Sequence, residues 1–548
     1  MLGLMQQQPL LISSLLAFAA RHRGGAEIVT NTVEGGRHRY SYGDAERRAR
    51  RLARVLDRLG VRRGDRVGTL AWNTYRHYEL YFAVSGMGAI IHTVNPRLFD
   101  EQIVHIVDHA EDRVLFVDLT FVPLIERLAT RFLHPPACVV VLTDRAHLPE
   151  VSLPAGVALH AYEELLGDVD DDFAWPALDE HAAAALCYTS GTTGHPKGVL
   201  YSHRSTVLHA YAVNLPDVLG LSSADRVMPV VAMFHVNAWG IPYAATMAGA
   251  SLVLAGGRAD GVSLHELITT ERVSFAAAVP TVWLGLVQHL QQTGGRVDGL
   301  ERICVGGAAC PQILLETLGD RYGIRVCQGW GMTEMSPVGA YNNPKAAPPE
   351  ATGSGSYRLR LKQGRSVFGV EMRIVDAQGQ DLPWDGVNSG ELLVRGPWVC
   401  RAYFRAGSDA TGEDGWFRTG DIATIDPHGY LQITDRAKDL IKSGGEWISS
   451  IELENIALGH PDVAEAAAIA ARHPRWDERP LLLVVAKPGH TVDPAAVQAL
   501  FKGKVASLSV PDAVLVVPEL PHTATGKLLK TALRERYGDH YLQQPMAP

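Results

Sequence analysis

Short apolar runs alternate with helical stretches through most of residues 60–340. The runs of strand length are Arg66–Ala71, Val114–Val117, Val139–Leu142, Ala250–Leu254, Phe275–Val279 and Ile303–Val305. Alternation of this kind predicts βαβ units, in which helices cover both faces of parallel sheets. Shorter strands separated by turns follow in residues 365–435, at Val370–Val375, Gly390–Val394 and Tyr430–Thr434. This change predicts a smaller β subdomain.

The alternation resumes on a smaller scale after Arg436. It predicts strands at Ala464–Ala470, Leu481–Ala486 and Ala513–Val517 and a helix at Pro494–Leu508. The predicted fold class is therefore α/β, with a large N-terminal domain of two α/β subdomains plus a small β subdomain. This domain is hinged to a small, mobile α+β C-terminal domain. The predicted bounds are 1-434 for the N-terminal domain, about 365-434 for its β subdomain, 435-441 for the hinge and 436-548 for the C-terminal domain.

Two apolar segments invite a membrane interpretation. Pro9 to Ala20 resembles the apolar part of a secretory signal, but residues 1–8 contain no Lys or Arg. A helix packed on the first domain is the preferred interpretation. The segment from Val227 to Gly257 has no charged residue and is long enough to span a bilayer. Its prolines and glycines instead favour a strand, a turn, a short helix and a strand in a protein core.

Composition excludes some partners and favours a reducing compartment. The 548-residue chain has a net charge of −8, which argues against nucleic-acid binding. The arginines of Asp44–Leu59 fall mostly on one face of a predicted amphipathic helix and are expected to face solvent. The six cysteines are scattered without a Cys-x-x-Cys pair, as is typical of free thiols.

The segment Cys187 to Leu200, CYTSGTTGHPKGVL, is the most informative stretch of the chain. Its glycines and hydroxyls can turn N–H and O–H groups onto phosphate oxygens, and an apolar run, Ala182 to Tyr188, precedes it. It is not a Walker A loop, because two residues rather than four separate Gly191 from Gly194 and Lys197 is followed by Gly198. The alternative is a Thr/Gly-rich surface loop.

Further motifs follow in a fixed order. They are Met233–Trp239 (MFHVNAW), Val305–Pro311 (VGGAACP), Gln328–Glu334 (QGWGMTE), Phe417–Asp421 (FRTGD), Asp435–Trp447 (DRAKDLIKSGGEW) and Pro521–Lys527 (PHTATGK). With the loop, these motifs resemble those of the adenylate-forming superfamily of acyl-CoA ligases, luciferases and adenylation domains. The resemblance covers essentially the whole chain.

The subgroup that the chain resembles is that of bacterial medium- and long-chain fatty-acid–CoA ligases. MFHVNAW and IKSGGEWIS carry this resemblance, and MLGLM, VNPRLF and ARHPRWDERP are most similar to medium-chain members. The resemblance implies ATP-dependent activation of a medium-chain fatty acid to acyl-CoA through an acyl-adenylate, releasing AMP and pyrophosphate. An aryl- or short-chain-acid–CoA ligase is the alternative.

The chemistry requires a phosphate cradle, a magnesium ion and a cation near the α-phosphate. The resemblance implies that Glu334 and Thr189 bind Mg²⁺ and that Thr333 contacts the α-phosphate. Without the family context, Glu334 would be an acidic residue at a helix N-terminus. Asp421 is expected to accept both ribose hydroxyls, although an isolated Thr-Gly-Asp is more often a turn.

The resemblance implies a larger set of binding residues around these. Those expected to contact the nucleotide are Thr189, Ser190, Gly191, Thr192, Thr193, Gly194, Lys197, Gly307, Gln328, Gly329, Trp330, Thr333, Asp421, Arg436, Lys438, Lys442, Trp447 and Lys527. Those expected at the acyl substrate are Val236, Trp239, Gly307 and Gly331. His235 is expected beside the carboxylate and phosphate, although a lone core histidine is more often structural.

The resemblance makes Lys527 the main catalytic residue, with His235, Thr333 and Glu334. A lysine is a compact charge on a flexible stem and can bridge carboxylate and α-phosphate oxygens. Without the motif, Lys527 would be a surface lysine. Lys438 takes the hinge position, and Ser443, Gly444 and Gly445 are expected to border CoA after the small domain reorients.

Partners and location are expectations of the same kind. ATP, CoA, a fatty acid and Mg²⁺ are expected, without nucleic acid or a transmembrane segment and with membrane contact at most peripheral. We expect a cytoplasmic homodimer. The remaining alternatives are an adenylation domain that feeds a carrier protein and a nucleotide-sensing or membrane-bound scaffold without catalysis.

Overall fold

The computed structural model describes residues 1, 3–189, 195–346, 358–443, 446–522 and 528–542. Its helices are α1 (Ile12–His22), α2 (Tyr42–Arg58), α3 (Tyr75–Gly86), α4 (Asp100–Ala110), α5 (Val122–Leu128), α6 (Tyr162–Gly167), α7 (His203–Val213), α8 (Ile241–Ala248), α9 (Gly261–Thr270), α10 (Pro280–Thr293), α11 (Gln312–Leu314), α12 (Ser450–Ala457), α13 (Pro494–Ala499) and α14 (Lys530–Tyr537).

The strands divide among four sheets. Those of the N-terminal part are β1 (Glu27–Asn31), β2 (Arg37–Ser41), β3 (Arg66–Leu70), β4 (Ile90–Thr93), β5 (Asp112–Val117), β6 (Cys138–Val141), β7 (Ala158–Ala161), β8 (Ala183–Tyr188), β9 (Gly198–Ser202), β10 (Arg226–Pro229), β11 (Ser251–Leu254), β12 (Phe275–Ala278), β13 (Arg302–Gly306), β14 (Arg325–Gly331), β15 (Val338–Asn342) and β16 (Arg365–Ser366). The later strands are β17 (Glu371–Val375), β18 (Gly390–Arg395), β19 (Phe417–Ile425), β20 (Leu431–Arg436), β21 (Ile441–Ser443), β22 (Glu446–Ile448), β23 (Val463–His473), β24 (Asp477–Ala486) and β25 (Ala513–Val516).

Two large, mainly parallel sheets form the N-terminal part, as the alternation predicted. One has seven strands in the order β7-β6-β5-β3-β4-β8-β9, and the other has nine in the order β16-β15-β14-β13-β12-β10-β11-β1-β2. Helices cover both faces, so strands such as β4 and β13 are buried at every position. The carboxyl ends of β8, β13 and β14 carry the predicted phosphate loop and the glycine-rich motifs, where ligands of open α/β sheets bind.

Asn73 joins these two sheets. Its side-chain amide donates to the carbonyls of Pro229, at 2.7 Å, and Val231, at 2.8 Å, while its side-chain oxygen accepts from Met233 N at 2.7 Å. Asn73 follows β3 in the seven-stranded sheet, whereas its partners lie at the end of β10 in the nine-stranded sheet and just after it. Its hydrogen bonds therefore fix the start of the segment that contains His235.

The smaller sheets confirm the predicted change of architecture. The four antiparallel strands β17-β18-β19-β20 form the β subdomain, and β21 to β25 form a five-stranded sheet with α12, α13 and α14 in the C-terminal part. The helix predicted at Pro494–Leu508 begins as expected, but its predicted end is wrong, because α13 ends at Ala499. Gly503 has a positive φ of 74° in the turn that follows, and such a conformation interrupts a right-handed helix.

Both membrane-like segments are helices and strands of the core. Helix α1 buries Ile12, Leu15, Leu16 and Ala19. The uncharged segment forms β10, a turn, α8 and β11, as predicted. Among the described residues, no helix has both the length and the apolar character needed to cross a bilayer.

The side of α2 that was predicted to face solvent is partly covered, since Arg50 donates to the Phe173 carbonyl at 2.8 Å and Arg54 pairs with Asp170 at 2.6 Å. Arg48 donates to Glu79, which is fully buried, at 2.7 Å and to Glu163 at 2.9 Å. Burial raises the pKa of Glu79, and the positive charge of Arg48 opposes that shift. Arg48 therefore joins α2 to α3 and α6 instead of facing solvent.

Candidate active site

The predicted phosphate loop begins and ends at a closed backbone frame. Strands β8 and β9 are antiparallel neighbours, with Tyr188 opposite Gly198. Beyond them, Thr189 N donates to the Lys197 carbonyl at 2.9 Å, and Lys197 N donates to Thr189 Oγ1 at 3.1 Å. The predicted contacts Ser190, Gly191, Thr192, Thr193 and Gly194 lie outside the described residues.

Tyr403 connects this frame to Glu334. The Lys197 ammonium lies 4.9 Å from the centre of the Tyr403 ring, and the Tyr403 hydroxyl donates to Glu334 Oε1 at 2.8 Å. Burial and the neighbouring Glu334 carboxylate raise the pKa of Tyr403, so its hydroxyl stays protonated and can donate. Thr189, Lys197 and Glu334, which the sequence places in separate motifs, are thus parts of one connected arrangement.

Backbone contacts fix the Thr333–Glu334 turn. The Tyr201 hydroxyl donates to the Thr333 carbonyl at 2.5 Å, and Cys400 N donates to the Glu334 carbonyl at 2.7 Å. Both turn residues are buried, at 8% and 7% exposure. Their partners come from β9 and from the segment before Tyr403, so the tertiary fold rather than local sequence holds the turn in place.

These donors fit a magnesium ion that takes most of its ligands from substrate and water. Mg²⁺ typically uses only one or two protein carboxylates. Glu334 would provide one, with its carboxylate oriented by the Tyr403 hydroxyl. Among the described residues no group of three His, Cys, Asp or Glu side chains could hold a metal by itself. The protein's own donor set is therefore small, as such a site requires.

Two glycines at the end of β13, Gly306 and Gly307, lie against the ring of Trp239 and are here called the glycine floor. The Trp239 ring packs so closely on Gly306 that a Cβ there would lie 2.9 Å from Trp239 Cη2. A Cβ on Gly307, where φ is +80°, would lie 3.7 Å from the same ring. Trp239 and Gly307, both predicted at the acyl substrate, therefore meet in the structure.

Residues Val236 to Trp239 form a left-handed turn. Their φ angles are 47°, 50°, 49° and 58°, and Gly240 continues at 72°. Non-glycine residues adopt this region at a cost, which is characteristic of functional segments. Buried Asn237 helps to hold this turn in place, since its Oδ1 accepts from the Cys187 thiol at 3.5 Å. The turn presents Trp239 to Gly306 and places His235 at its start, with His235 N donating to the Ala232 carbonyl at 3.0 Å.

Asp421 forms the centre of a second polar group. Trp330 Nε1 donates to Asp421 Oδ2 at 3.0 Å, and Arg436 Nε pairs with Asp421 Oδ1 at 2.8 Å. Asp421 is 2% exposed, and its own N–H donates to Thr419 Oγ1 at 3.1 Å. The predicted nucleotide residues Trp330, Asp421 and Arg436 are thus in direct contact.

Strand β14 holds the remaining glycine motif in a constrained shape. The pairing of β14 with β15 shifts register between Trp330 and Gly331. A Cβ on Gly331 would lie 1.9 Å from the Pro337 carbonyl oxygen, so this position accepts only glycine. The Gln328 amide donates to the Arg360 carbonyl, which links β14 to the segment before β16. The predicted nucleotide residue Gly329 lies between Gln328 and Trp330 in β14.

The linker and the C-terminal part carry the remaining predicted residues. Lys438 is exposed between β20 and β21, Lys442 is exposed on β21, and Ser443 is fully buried. Trp447 lies opposite Lys442 in the β21–β22 register, but its side chain is outside the described part of the chain. Gly444, Gly445 and Lys527 also lie outside it.

Sequence reasoning did not identify several supports of the site. They are Asn73, Tyr201, Asn237 and Tyr403. None lies in a motif with chemistry of its own except Asn237, and Tyr403 is 69 residues from its partner Glu334. No signal in the sequence links such pairs.

Comparison with known proteins agrees with this geometry. The family model "AMP-binding enzyme" matches residues 16–404, and "AMP-binding enzyme C-terminal domain" matches residues 452–527. A 3-methylmercaptopropionyl-CoA ligase of Ruegeria lacuscaerulensis is 50% identical over 98% of this chain and 99% of that protein. A medium-chain-fatty-acid–CoA ligase of Ectopseudomonas oleovorans is 48% identical over 99% of each. The crystal structure of the anthranilate CoA ligase AuaEII with anthranoyl-AMP matches with a TM-score of 0.85 at 24% identity, covering 98% of this chain and 100% of that chain, which supports the fold alone.

The fold and the site define an adenylate-forming enzyme. The chain belongs to the AMP-binding enzyme family. Within it, the protein is an acid–CoA ligase whose substrates are ATP, CoA and a carboxylic acid.

Proposed function

We propose that the protein converts a medium-chain fatty acid to its CoA thioester. The fatty-acid substrate is supported by 48% identity to a medium-chain-fatty-acid–CoA ligase over almost the whole chain. The observation that carries the catalytic assignment lies at the end of β14. There, Trp330 contacts Asp421, and Glu334, four residues later, contacts Tyr403 beneath Lys197.

The proposed reaction has two steps. A carboxylate oxygen attacks the α-phosphorus of ATP, the bond to the β-phosphate oxygen breaks, and pyrophosphate leaves. The CoA thiol then loses its proton and attacks the acyl carbon of the adenylate, and AMP leaves with the electron pair of the acyl–oxygen bond. Both steps depend mainly on positioning and on stabilisation of charge.

Each part of the site has a role in the first step. The Thr189–Lys197 frame holds the ends of the phosphate loop, and Thr333 contacts the α-phosphate. Asp421 accepts the ribose hydroxyls, and Arg436 holds the Asp421 carboxylate. Glu334, with Thr189, would hold Mg²⁺, which supplies positive charge to the phosphate oxygens when bound. His235 would border the reacting carboxylate.

Lys527 acts in the first step, and the linker allows the domain movement that leads to the second. We propose that residues 1-434 and 436-548 are the two domains and that Lys438 is the hinge between them. Lys527 bridges carboxylate and α-phosphate in the first step. After reorientation, Ser443, Gly444 and Gly445 border CoA, and Lys442 and Trp447 border the adenylate. Separate orientations let one cleft serve both reactions.

A second candidate substrate is a short thioether acid. The relative that is 50% identical over nearly all of its length is named a 3-methylmercaptopropionyl-CoA ligase. Trp239 packed over Gly306 and Gly307 is compatible with a short acyl chain as well, because its ring occupies space above the glycine floor. Substrate length is therefore the decisive measurement.

The test is pyrophosphate release with MgATP, CoA and single acids. Butanoate, octanoate, palmitate, benzoate and 3-methylmercaptopropionate sample length, ring and thioether. We expect the highest kcat/KM with octanoate. A maximum with 3-methylmercaptopropionate selects the second candidate, and a maximum with benzoate contradicts both. Absence of AMP formation with every acid contradicts the ligase assignment itself.

The assembly and location are proposals with simple tests. We propose a cytoplasmic homodimer whose membrane contact is peripheral at most. Light scattering of the purified protein gives its mass in solution, and sedimentation with fatty-acid-containing vesicles measures membrane contact. A monomeric mass contradicts the dimer, and cofractionation with membranes that resists high salt contradicts the peripheral assignment.

A further inference from the structure

Hydrogen bonds cross the linker on either side of Lys438. Thr434 and Asp435 belong to β20, whereas Ser449 and Ser450 stand at the start of α12 in the C-terminal part. The Ser449 hydroxyl donates to the Thr434 carbonyl, and Ser450 N donates to Asp435 Oδ2 at 2.7 Å. A rotation about Lys438 would carry the two serines away from β20 and break both bonds.

Asp435 is held from two sides. It is 1% exposed, and its Oδ1 accepts from Arg436 N at 2.7 Å. Burial raises the pKa of Asp435, while the positive charge of Lys530 and the hydrogen bonds from Ser450 oppose that shift. Its position at the N-terminus of α12 also favours negative charge. Asp435 thus meets the C-terminal part through both hydrogen bonds and charge.

Lys530 contacts Ser450 and Glu454, both of which belong to α12. It is the first residue of α14, and its Nζ donates to Ser450 Oγ at 2.5 Å and pairs with Glu454 Oε1 at 2.6 Å. Glu454 Oε1 also accepts from Ala468 N at 2.9 Å. A lysine that is only 9% exposed costs desolvation energy, so it persists where its partners are fixed.

This group lies between two proposed functional elements. Arg436, next to Asp435, pairs with the ribose carboxylate Asp421 at 2.8 Å. Lys530 comes three residues after Lys527 in the chain. The contacts Asp421–Arg436, Asp435–Ser450 and Ser450–Lys530 therefore connect the nucleotide site with the helix that follows Lys527.

We propose that Asp435, Ser450 and Lys530, here called the linker latch, are positioning residues that hold the C-terminal domain in the orientation seen in this structure. The latch thereby favours the half-reaction that this orientation performs. This inference rests on the proposed two-step function, since only an enzyme with two orientations needs such a contact. A purely structural group would affect both half-reactions equally.

The test compares two half-reactions in single variants. Pyrophosphate release from ATP and acid measures the first, and thioester formation from supplied acyl-adenylate and CoA measures the second. In Asp435→Ala we expect the ratio of the two rates to change about fivefold or more, because one orientation loses a stabilising contact. Ser450→Ala, which removes the hydroxyl that Lys530 contacts, should shift the ratio in the same direction.

Asp493→Ala is the matched control. Asp493 also stands at a helix N-terminus in the C-terminal part, where its side chain accepts from Ala495 N at 3.0 Å, but this contact does not cross the linker. Its removal should leave the ratio within about twofold of the wild type. Lys530→Arg retains the charge and should change the ratio less than Lys530→Met. Since Lys530→Met leaves Glu454 buried without its cation and can fail to fold, the serine and aspartate variants carry the test.

Equal losses in both half-reactions, or an equal change in Asp493→Ala, would overturn the latch. Hydrogen exchange of the linker amides in the substrate-free protein gives a readout independent of activity. Asp435→Ala should exchange faster than the wild type across residues 434–441, and unchanged exchange would also overturn the proposal. A wild type that forms no AMP with any acid contradicts the proposed function, whereas the exchange experiment still decides on the latch.

Discussion

The Tyr403 hydroxyl donates a 2.8 Å hydrogen bond to the Glu334 carboxylate. Tyr403 also places its ring 4.9 Å from the Lys197 ammonium. One side chain from outside every recognised motif thus contacts both the proposed metal ligand and the end of the proposed phosphate loop. This relationship suggests that Tyr403 fixes the distance between them.

Tyr403→Phe should therefore weaken the first half-reaction. The ring stays, but Glu334 loses a donor, and hydrogen bonds to charged groups are worth about 1.5–3 kcal/mol. We expect kcat/KM for MgATP to fall about tenfold or more. Pyrophosphate release at varied ATP and Mg²⁺ measures the effect. Tyr40→Phe is the control, because the Tyr40 hydroxyl has no hydrogen-bond partner among the described residues; a comparable loss in both variants contradicts the prediction.

Trp330→Phe tests the contact between the indole and Asp421. Phenylalanine keeps an aromatic ring but cannot donate to Asp421 Oδ2. The KM for ATP should rise about threefold to tenfold, because the carboxylate proposed to bind ribose is less well oriented. A double-mutant cycle with Asp421→Asn should show that the two changes are not additive. Additive effects would mean that the indole acts independently of Asp421.

Gly306→Ala should disturb the proposed acyl site more than the fold. The new methyl group would lie 2.9 Å from Trp239 Cη2 and 3.0 Å from the Gly329 carbonyl oxygen, so the indole has to move. Overpacking of this kind costs about 1–3 kcal/mol. We expect kcat/KM for the preferred acid to fall at least about tenfold. Steady-state kinetics with the panel of acids measures it.

Gly285→Ala supplies the comparison for that variant. Gly285 lies inside α10, and its Cβ would meet no atom within 4 Å. Alanine in a helix interior is favoured over glycine by about 1 kcal/mol, so the thermal midpoint should rise while kinetics stay unchanged. If Gly306→Ala behaves in the same way as Gly285→Ala, the proposed contact with Trp239 is not functional.

His209 should make stability depend on pH. Burial lowers its pKa from 6.5 to about 3, and its Nε2 accepts from Val338 N at 3.2 Å. The unfolded chain binds a proton below pH 6.5 that the native histidine excludes. The contribution to stability is therefore complete above pH 6.5 and is lost as the pH falls towards 3, at about 1.4 kcal/mol per pH unit.

His209→Gln removes this titration but can still accept from Val338. Thermal unfolding between neutral and acidic pH should show a shallower loss of stability in the variant. The two curves should converge as the pH decreases, even if the variant is less stable at neutral pH. Parallel curves would mean that His209 is not the group that excludes the proton.

Local pattern predicted many of the strands and the positions of the motifs. The apolar run that became β8 and the glycine-rich motif at the end of β13 were predicted because strand length and backbone freedom are encoded locally. The long helix predicted from Pro494 failed because the pattern did not locate the turn at Gly503. The exposed face predicted for α2 was incomplete, since Arg48 pairs with Glu79 and Glu163 in two other helices.

By itself, the sequence determined the class of chemistry, because its ordered motifs between Cys187 and Lys527 resemble those of adenylate-forming enzymes. Only the tertiary structure decided which side chains support them. Tyr403 meets Glu334, and Lys530 reaches the linker through Ser450, across separations of 69 and 80 residues. The physical reason is that such contacts depend on how sheets and helices pack, and the spacing of residues along the chain carries no record of that packing.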